Sequence, residues 1–145
     1  MGKKLNMLFV LILSIGLVGF LSGCTYGSSI TLYSNENNSN SKMSMTYKKF
    51  SGYKATDITV AEGEKVEVNV SIESKEGKLG LTILKKKDSK GGKEETVYEG
   101  KELPTSNFKV ILDKTGDYNI KVTGEKSNGS YKITWDKVDD KMDDK

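Results

Sequence analysis

Two hydrophobic patterns divide this chain. From Leu5 to Leu21 the positions are apolar almost without interruption. Beyond residue 42 the apolar positions fall instead on every second residue. Val66, Val68, Val70 and Ile72 alternate with Glu67, Asn69, Ser71 and Glu73. In an extended chain successive side chains point to opposite sides, so this period buries one face and wets the other. The same period runs through Leu79–Ile83, Phe108–Leu112, Tyr118–Val122 and Tyr131–Trp135, where the even or odd set is apolar. Thr96–Glu99 is a shorter segment, and Met43–Tyr47 and Thr56–Val60 are earlier ones with weaker alternation. Turn formers stand between them: Glu62-Gly63, Ser74 to Gly77, Gly91-Gly92, Asp113 to Gly116 and Ser127-Asn128-Gly129. Gly and Asn supply the positive φ that tight turns need. No stretch beyond residue 24 sustains a 3.6-residue period. Short half-buried strands at regular spacing predict an all-β fold, a single small antiparallel β-sandwich of about 7–8 strands over residues 43–136.

The opening segment has a different purpose. Lys3 and Lys4 precede the apolar run, and the small residues Ser22 and Gly23 follow it. A charged start, an apolar core and a small-residue end form the layout of a secretory signal. The run sits at the short end of the roughly 17–25 residues a membrane span requires, and Asn6, Ser14, Gly16 and Gly19 weaken it further. Leu21-Ser22-Gly23-Cys24 resembles the lipobox of bacterial lipoproteins at every position. That resemblance implies signal-peptidase recognition at Leu21, Ser22 and Gly23, cleavage before Cys24, and a diacylglycerol on the Cys24 thiol. A myristoylation signal does not fit, because Asn6 stands where Ser or Thr is required. The implied organisation is a signal peptide over 1–23, then a domain held to the membrane through the lipid on Cys24, on its extracytoplasmic face.

Between these regions, residues 34–42 are almost wholly Ser and Asn. Such a stretch buries too little to offset its ordering entropy. Residues 24–42 are therefore expected to form a lipidated flexible tether. Residues 137–145, in which Lys alternates with Asp pairs, are expected to form a charged flexible tail.

Composition narrows the chemistry. All 23 basic side chains are lysine, with no Arg and no His. Arg is the bidentate partner of phosphate and carboxylate, and His is the usual general base and the commonest metal ligand. Cys24 is the only cysteine, so no disulfide forms within the chain and no thiol remains once it is acylated. After loss of the signal, 21 lysines face 20 acidic residues, which gives no global field for nucleic acid. These absences predict no enzyme, no cofactor, no metal and no nucleic-acid partner, and a monomeric domain.

The segment from Ile58 to Trp135 resembles the pre-peptidase C-terminal type of bacterial sandwich, and other jelly-roll modules. The likeness rests on Val60-Ala61-Glu62-Gly63-Glu64 leading into Val66–Ile72, on Leu112 to Tyr118, and on the closing pair Tyr118–Val122 and Tyr131–Trp135. It implies a jelly-roll-like, non-catalytic accessory or binding module.

Tyr118 is expected to close a sandwich corner with its hydroxyl on nearby backbone, and Trp135, in step with Tyr131 and Ile133, to lie in the core. Lys85, Lys86, Lys87, Lys90 and Lys93 make a positive loop diluted by Asp88, Glu94 and Glu95, expected to be simply solvated. Asp139-Asp140 and Asp143-Asp144 lack the spacing of a calcium loop. Tyr47, Tyr53 and Tyr98 have no assigned face and are the candidate ligand contacts. The main expectation is a binding or structural module at the cell surface, with cell-wall polymer or glycan as the candidate partner. The alternative is a receptor-like module for a glycan, small solute or calcium.

Overall fold

The computed structural model describes residues 24–138, and the signal segment and residues 139–145 lie outside it. Seven strands follow in order: β1 (Thr25–Ile30), β2 (Tyr33–Glu36), β3 (Lys42–Val60), β4 (Val66–Lys85), β5 (Glu95–Gly100), β6 (Ser106–Leu112) and β7 (Gly116–Lys137). Every pairing is antiparallel. No helix occurs among the described residues, and the fold is a β-sandwich, as the alternation predicts.

Three long strands build both layers. The first half of β3 pairs with the second half of β7, which pairs with the first half of β4. β2 and β6 complete this first layer at its two edges. The second half of β3 pairs with the first half of β7, which pairs with the second half of β4. β1 and β5 are the edges of this second layer. Each long strand therefore bends midway and passes from one layer to the other.

The bends are where the register slips, at Tyr47 to Gly52 in β3 and Ser74 to Lys78 in β4. Bulged residues bend and twist a strand without ending it. Gly77 adopts φ 71°, and a Cβ there would collide with the Lys126 carbonyl, so the position requires glycine. The Asn128 side chain ties the bends together. Its Oδ1 accepts from the Lys49 amide at 2.7 Å, and its Nδ2 donates to Glu76. Ser74 to Gly77 and Ser127 to Gly129, expected as turns between strands, are bends inside continuous strands.

The alternating rows face inward as predicted. Val66, Val68, Val70, Ile72, Leu79, Leu81 and Ile83 are all buried, and so are Tyr118, Ile120, Val122, Tyr131, Ile133 and Trp135. Ile111, on the opposite parity, is exposed. The Trp135 indole donates to the Asn40 carbonyl at 3.0 Å, which satisfies its one polar atom. Tyr118 Oη donates to the Lys114 carbonyl at 2.6 Å. That bond closes the 113–115 turn, where the chain crosses from the first layer to the second.

The expectation of a flexible tether over 24–42 is corrected. β1 pairs along the second half of β3, and β2 along the first half. A Ser- and Asn-rich segment buries little side chain, but edge pairing needs only backbone N–H and C=O groups. Without β1 and β2, the edge of the 19-residue β3 would present its backbone groups unpaired. The break at Thr31-Leu32 falls where β3 bends, and the Leu32 amide bonds the Lys48 carbonyl there. At the other end, Lys137 belongs to β7 and the Val138 amide donates to the Lys65 carbonyl.

Candidate functional site

The structure separates the three candidate tyrosines. Tyr47 is buried in the core, with ring centroids 5.1 Å from Phe50 and 6.1 Å from Tyr131. Tyr98, half-buried, stacks on Phe108 at 4.9 Å and seals the gap between the edge strands β5 and β6. Tyr53 alone points outward. It sits on the open side of the second layer, with Lys121 Nζ 4.8 Å from its ring centroid. The three do not form a common platform.

A different set gathers around Tyr53. In the β1–β3 ladder Tyr26 lies opposite Ala55 and Ser28 opposite Tyr53. Residues opposite each other share a face, so Tyr26 and Tyr53 are diagonal neighbours on the open side. Tyr26 keeps 45% of its surface exposed. Across the sheet, Tyr53 faces Thr123 and Thr123 faces Gly80. The absent side chain at Gly80 helps leave a groove of about 310 Å³, bordered by Thr123, Lys78 and Glu102. Lys78 and Glu102 pair at 2.6 Å on its rim.

At the other end of the same face a polar cluster surrounds Asp57. Asn119 Nδ2 donates to Asp57 Oδ1 at 2.7 Å and to Tyr26 Oη at 2.8 Å. Tyr26 Oη donates to Asp57 Oδ1 at 3.3 Å. Lys86 Nζ stands 2.8 Å from Asp57 Oδ2. Partial burial alone would raise the Asp57 pKa, but the bonds from Lys86, Asn119 and Tyr26 and the Lys86 charge outweigh it, and the value is lowered. The bond to Asp57 raises the Lys86 pKa in turn. Burial, then the nearby Asp57 charge, raise that of Tyr26. Asp57 lies four positions along β3 from Tyr53, about 13 Å of extended chain.

The open side of the first layer differs. Two of its grooves, about 360 and 380 Å³, share Ser71 and Lys132; Asn69, Asn107 and Thr134 border the first beside Val70 and Phe108, and Ser44 and Thr46 border the second beside Met45 and Tyr131. Tyr33, at the far edge, is exposed. Among the described residues no three His, Cys, Asp or Glu side chains are placed to hold a metal ion. Among the described residues no helix is long and apolar enough to cross a membrane.

Sequence reasoning missed Tyr26, Asp57 and Asn119, and read Lys86 only as part of a solvated positive loop. Tyr26 lay in the presumed tether, and nothing local marks Asp57 or Asn119. What unites them is ladder pairing across β1, β3, β7 and β4.

No protein-family model matches the chain, and no curated protein matches it. Solved structures align with it at TM-scores below 0.5. The enzymatically active domain of bacteriophage CBA120 tailspike protein 4 aligns at TM-score 0.45 and 8% identity, over 83% of this chain and 20% of that one. This chain therefore spans a fifth of that domain's length. A family 29 carbohydrate-binding module complexed with mannohexaose aligns at 0.43 and 11% identity, covering 80% and 81%. A family 11 carbohydrate-binding module from Clostridium thermocellum, in complex with a β-1,3-1,4-mixed-linked tetrasaccharide, aligns at 0.44 and 12%, covering 81% and 88%. Of the resemblance to pre-peptidase C-terminal domains, the strand pairing bears out the sandwich, and no family model matches.

Proposed function

We propose that this chain is a non-catalytic glycan-binding module, anchored through a lipid on Cys24 to the extracytoplasmic face of the cell membrane. The observation that supports glycan binding is the placement of Tyr26 and Tyr53 on one open sheet face, beside the Asp57–Asn119–Lys86 cluster. A sugar ring has apolar C–H faces and a hydroxyl edge. Aromatic rings with polar tips offer area to the first, and amide, carboxylate and ammonium groups bond the second. The hydrogen bonds around Asp57 hold the Tyr26 ring and the Asn119 amide before a ligand arrives, which lowers the ordering cost of binding. An open face suits a polymer lying across it, whereas a small solute needs an enclosing pocket. Asp57, already bonded by three donors and held ionised, is a poor proton donor at neutral pH.

Cys24 is exposed immediately before β1, where a lipid does not disturb the core. The lipobox resemblance supports the anchor, and Cys24→Ala should prevent lipidation and leave unprocessed precursor or release protein to the medium.

The binding test is calorimetric titration of the chain with mannohexaose, a mixed-linked β-glucan tetrasaccharide and peptidoglycan glycan strands. At least one should bind, and Tyr26→Ala and Tyr53→Ala should each weaken it roughly ten-fold, which corresponds to about 1.4 kcal/mol. Unchanged melting of both variants checks the fold. Blank titrations with all three probes, or binding indifferent to both substitutions, would overturn the proposal.

A further inference from the structure

At Gly80 the open side of the second layer is hollow. Its neighbours Leu79 and Leu81 are buried in the core, so position 80 takes the opposite side of β4. There its partner is Thr123, whose own partner on β3 is Tyr53. A Cβ at Gly80 would meet Thr123 Oγ1 at 2.6 Å and the Gly100 and Lys101 carbonyl oxygens at 3.1 and 3.4 Å. One missing side chain thus leaves a hydroxyl and two carbonyls around a single space. The turn that carries those carbonyls is pinned. The Leu103 amide donates to the Leu79 carbonyl at 2.8 Å, and the Leu103 side chain takes the room that a Cβ on Gly100 would need.

The rim of this 310 Å³ groove carries Lys78, Lys101, Glu102 and Glu125. The two signs balance, so a carboxylate on a ligand meets Glu102 and Glu125, and an ammonium meets Lys78 and Lys101. A neutral group is the one that neither pair opposes. Lys78 Nζ stands 2.6 Å from Glu102, which occupies one of its three protons and leaves two for other acceptors. A sugar hydroxyl would leave the hollow to water. An acetamido group uses every feature of it. Its N–H donates to the Lys101 carbonyl, its oxygen accepts from Lys78 or Thr123, and its methyl fills the room of the missing Gly80 side chain. Two strand spacings separate Gly80 from Tyr53, about 10 Å, close to the length of a disaccharide.

We infer that the Gly80 groove is a subsite for the acetamido group of an N-acetylated hexosamine, and that the polymer lying across the Tyr53 face is an aminosugar glycan. This rests on the proposed glycan reading of that face and names its substrate class. A site that hydrogen-bonds a substituent discriminates against the analogue lacking it, because the groups of the site are then left without partners. The pinned 100–103 turn holds the Lys101 carbonyl in place before the ligand arrives, which lowers the ordering cost.

The test is calorimetric titration of the full chain with three hexamers of one β-1,4 backbone that differ only at C2: chitohexaose with acetamido, cellohexaose with hydroxyl, and the glucosamine hexamer with ammonium. Chitohexaose should bind about ten-fold or more tighter than either of the others. Gly80→Ala fills the hollow and displaces the Thr123 hydroxyl, and should bring chitohexaose down to the affinity of cellohexaose while leaving cellohexaose unchanged. Thr123→Ile, at an exposed strand position, should do the same from the other wall. Unchanged melting shows that each variant is folded. Equal affinities for chitohexaose and cellohexaose would overturn the inference and leave the glycan face standing. A preference for chitohexaose that survives both folded variants would place the acetamido group elsewhere and overturn it too. Preference for the glucosamine hexamer would overturn it in favour of a cation held by Glu102 and Glu125. Blank titrations with all three hexamers, and with the three probes named above, would remove the glycan reading and this inference together.

Discussion

The ring of Phe50 occupies the space that a side chain on Gly124 would fill. A Cβ at Gly124 would meet Phe50 Cδ1, with Cε1 2.7 Å away. Phe50 is fully buried at the bend of β3, and Gly124 lies opposite Gly52 where β7 bends beside it. The absent side chain lets an aromatic ring enter the corner that both layers share.

Gly124→Ala should therefore destabilise the fold by about 1–3 kcal/mol, the usual cost of overpacking a filled site. Gly92→Ala is the control. A Cβ at Gly92 would approach nothing closer than 3.6 Å. Urea unfolding followed by the fluorescence of Trp135, the only tryptophan and a buried one, measures both. Equal midpoints for the two variants would show that the corner tolerates the methyl group and that Phe50 is not held there.

The second relationship is electrostatic. Asp57 has a lowered pKa, so the unfolded chain takes up a proton at this residue before the folded chain does. The stability it contributes is complete above the ordinary value of 3.8 and drains away as pH falls through and below it. Asp57 and Lys86 are each about two-fifths exposed, and exposed pairs are worth about 0–1 kcal/mol and weaken with salt. Asp57→Asn should lower the melting temperature modestly at pH 7, and the difference from the parent should shrink toward zero in strong acid. A difference that stays constant down to acid pH would mean that shape, not charge, accounts for the loss.

The inward rows were legible because alternation is local. Val66 to Ile72 bury the side that their spacing predicts, and Trp135 follows Tyr131 and Ile133 inward. Continuity across the bends was not legible. Ser74 to Gly77 and Ser127 to Gly129 contain the residues of a tight turn, and a bend uses the same positive φ as a reversal. What separates the two is whether the chain beyond stays paired with the same neighbour, and that is a contact with β7, distant in sequence. The site was hidden for the same reason. Asn119 and Tyr26, bonded at 2.8 Å, are 93 residues apart. Tyr47 lies in the core and Tyr98 packs against it, because a tyrosine's polar tip lets it serve there as readily as on the surface. Ser127 Oγ donates to the buried Tyr47 hydroxyl at 3.4 Å.

The edge strands provide the sharpest contrast between the two readings of residues 25–36. A tether exchanges its amide hydrogens at the rate of an unfolded peptide, whereas a paired edge strand is protected by the free energy of local opening. β1 carries six residues in continuous register with β3, and β2 carries four. Little side chain is buried there. Ile30, Leu32 and Tyr33 remain exposed, so the opening energy should be well below that of β7 at the centre of both layers. Hydrogen exchange should show measurable protection over 25–30, weaker protection over 33–36, and the strongest over 118–122 and 131–135. Deleting 25–36 should also leave β3 as a long open edge and promote self-association, seen by light scattering, because an unpaired strand edge is a template for another chain. Exchange over 25–30 as fast as in a short peptide, together with a monomeric deletion variant, would restore the tether and remove Tyr26 from the glycan face.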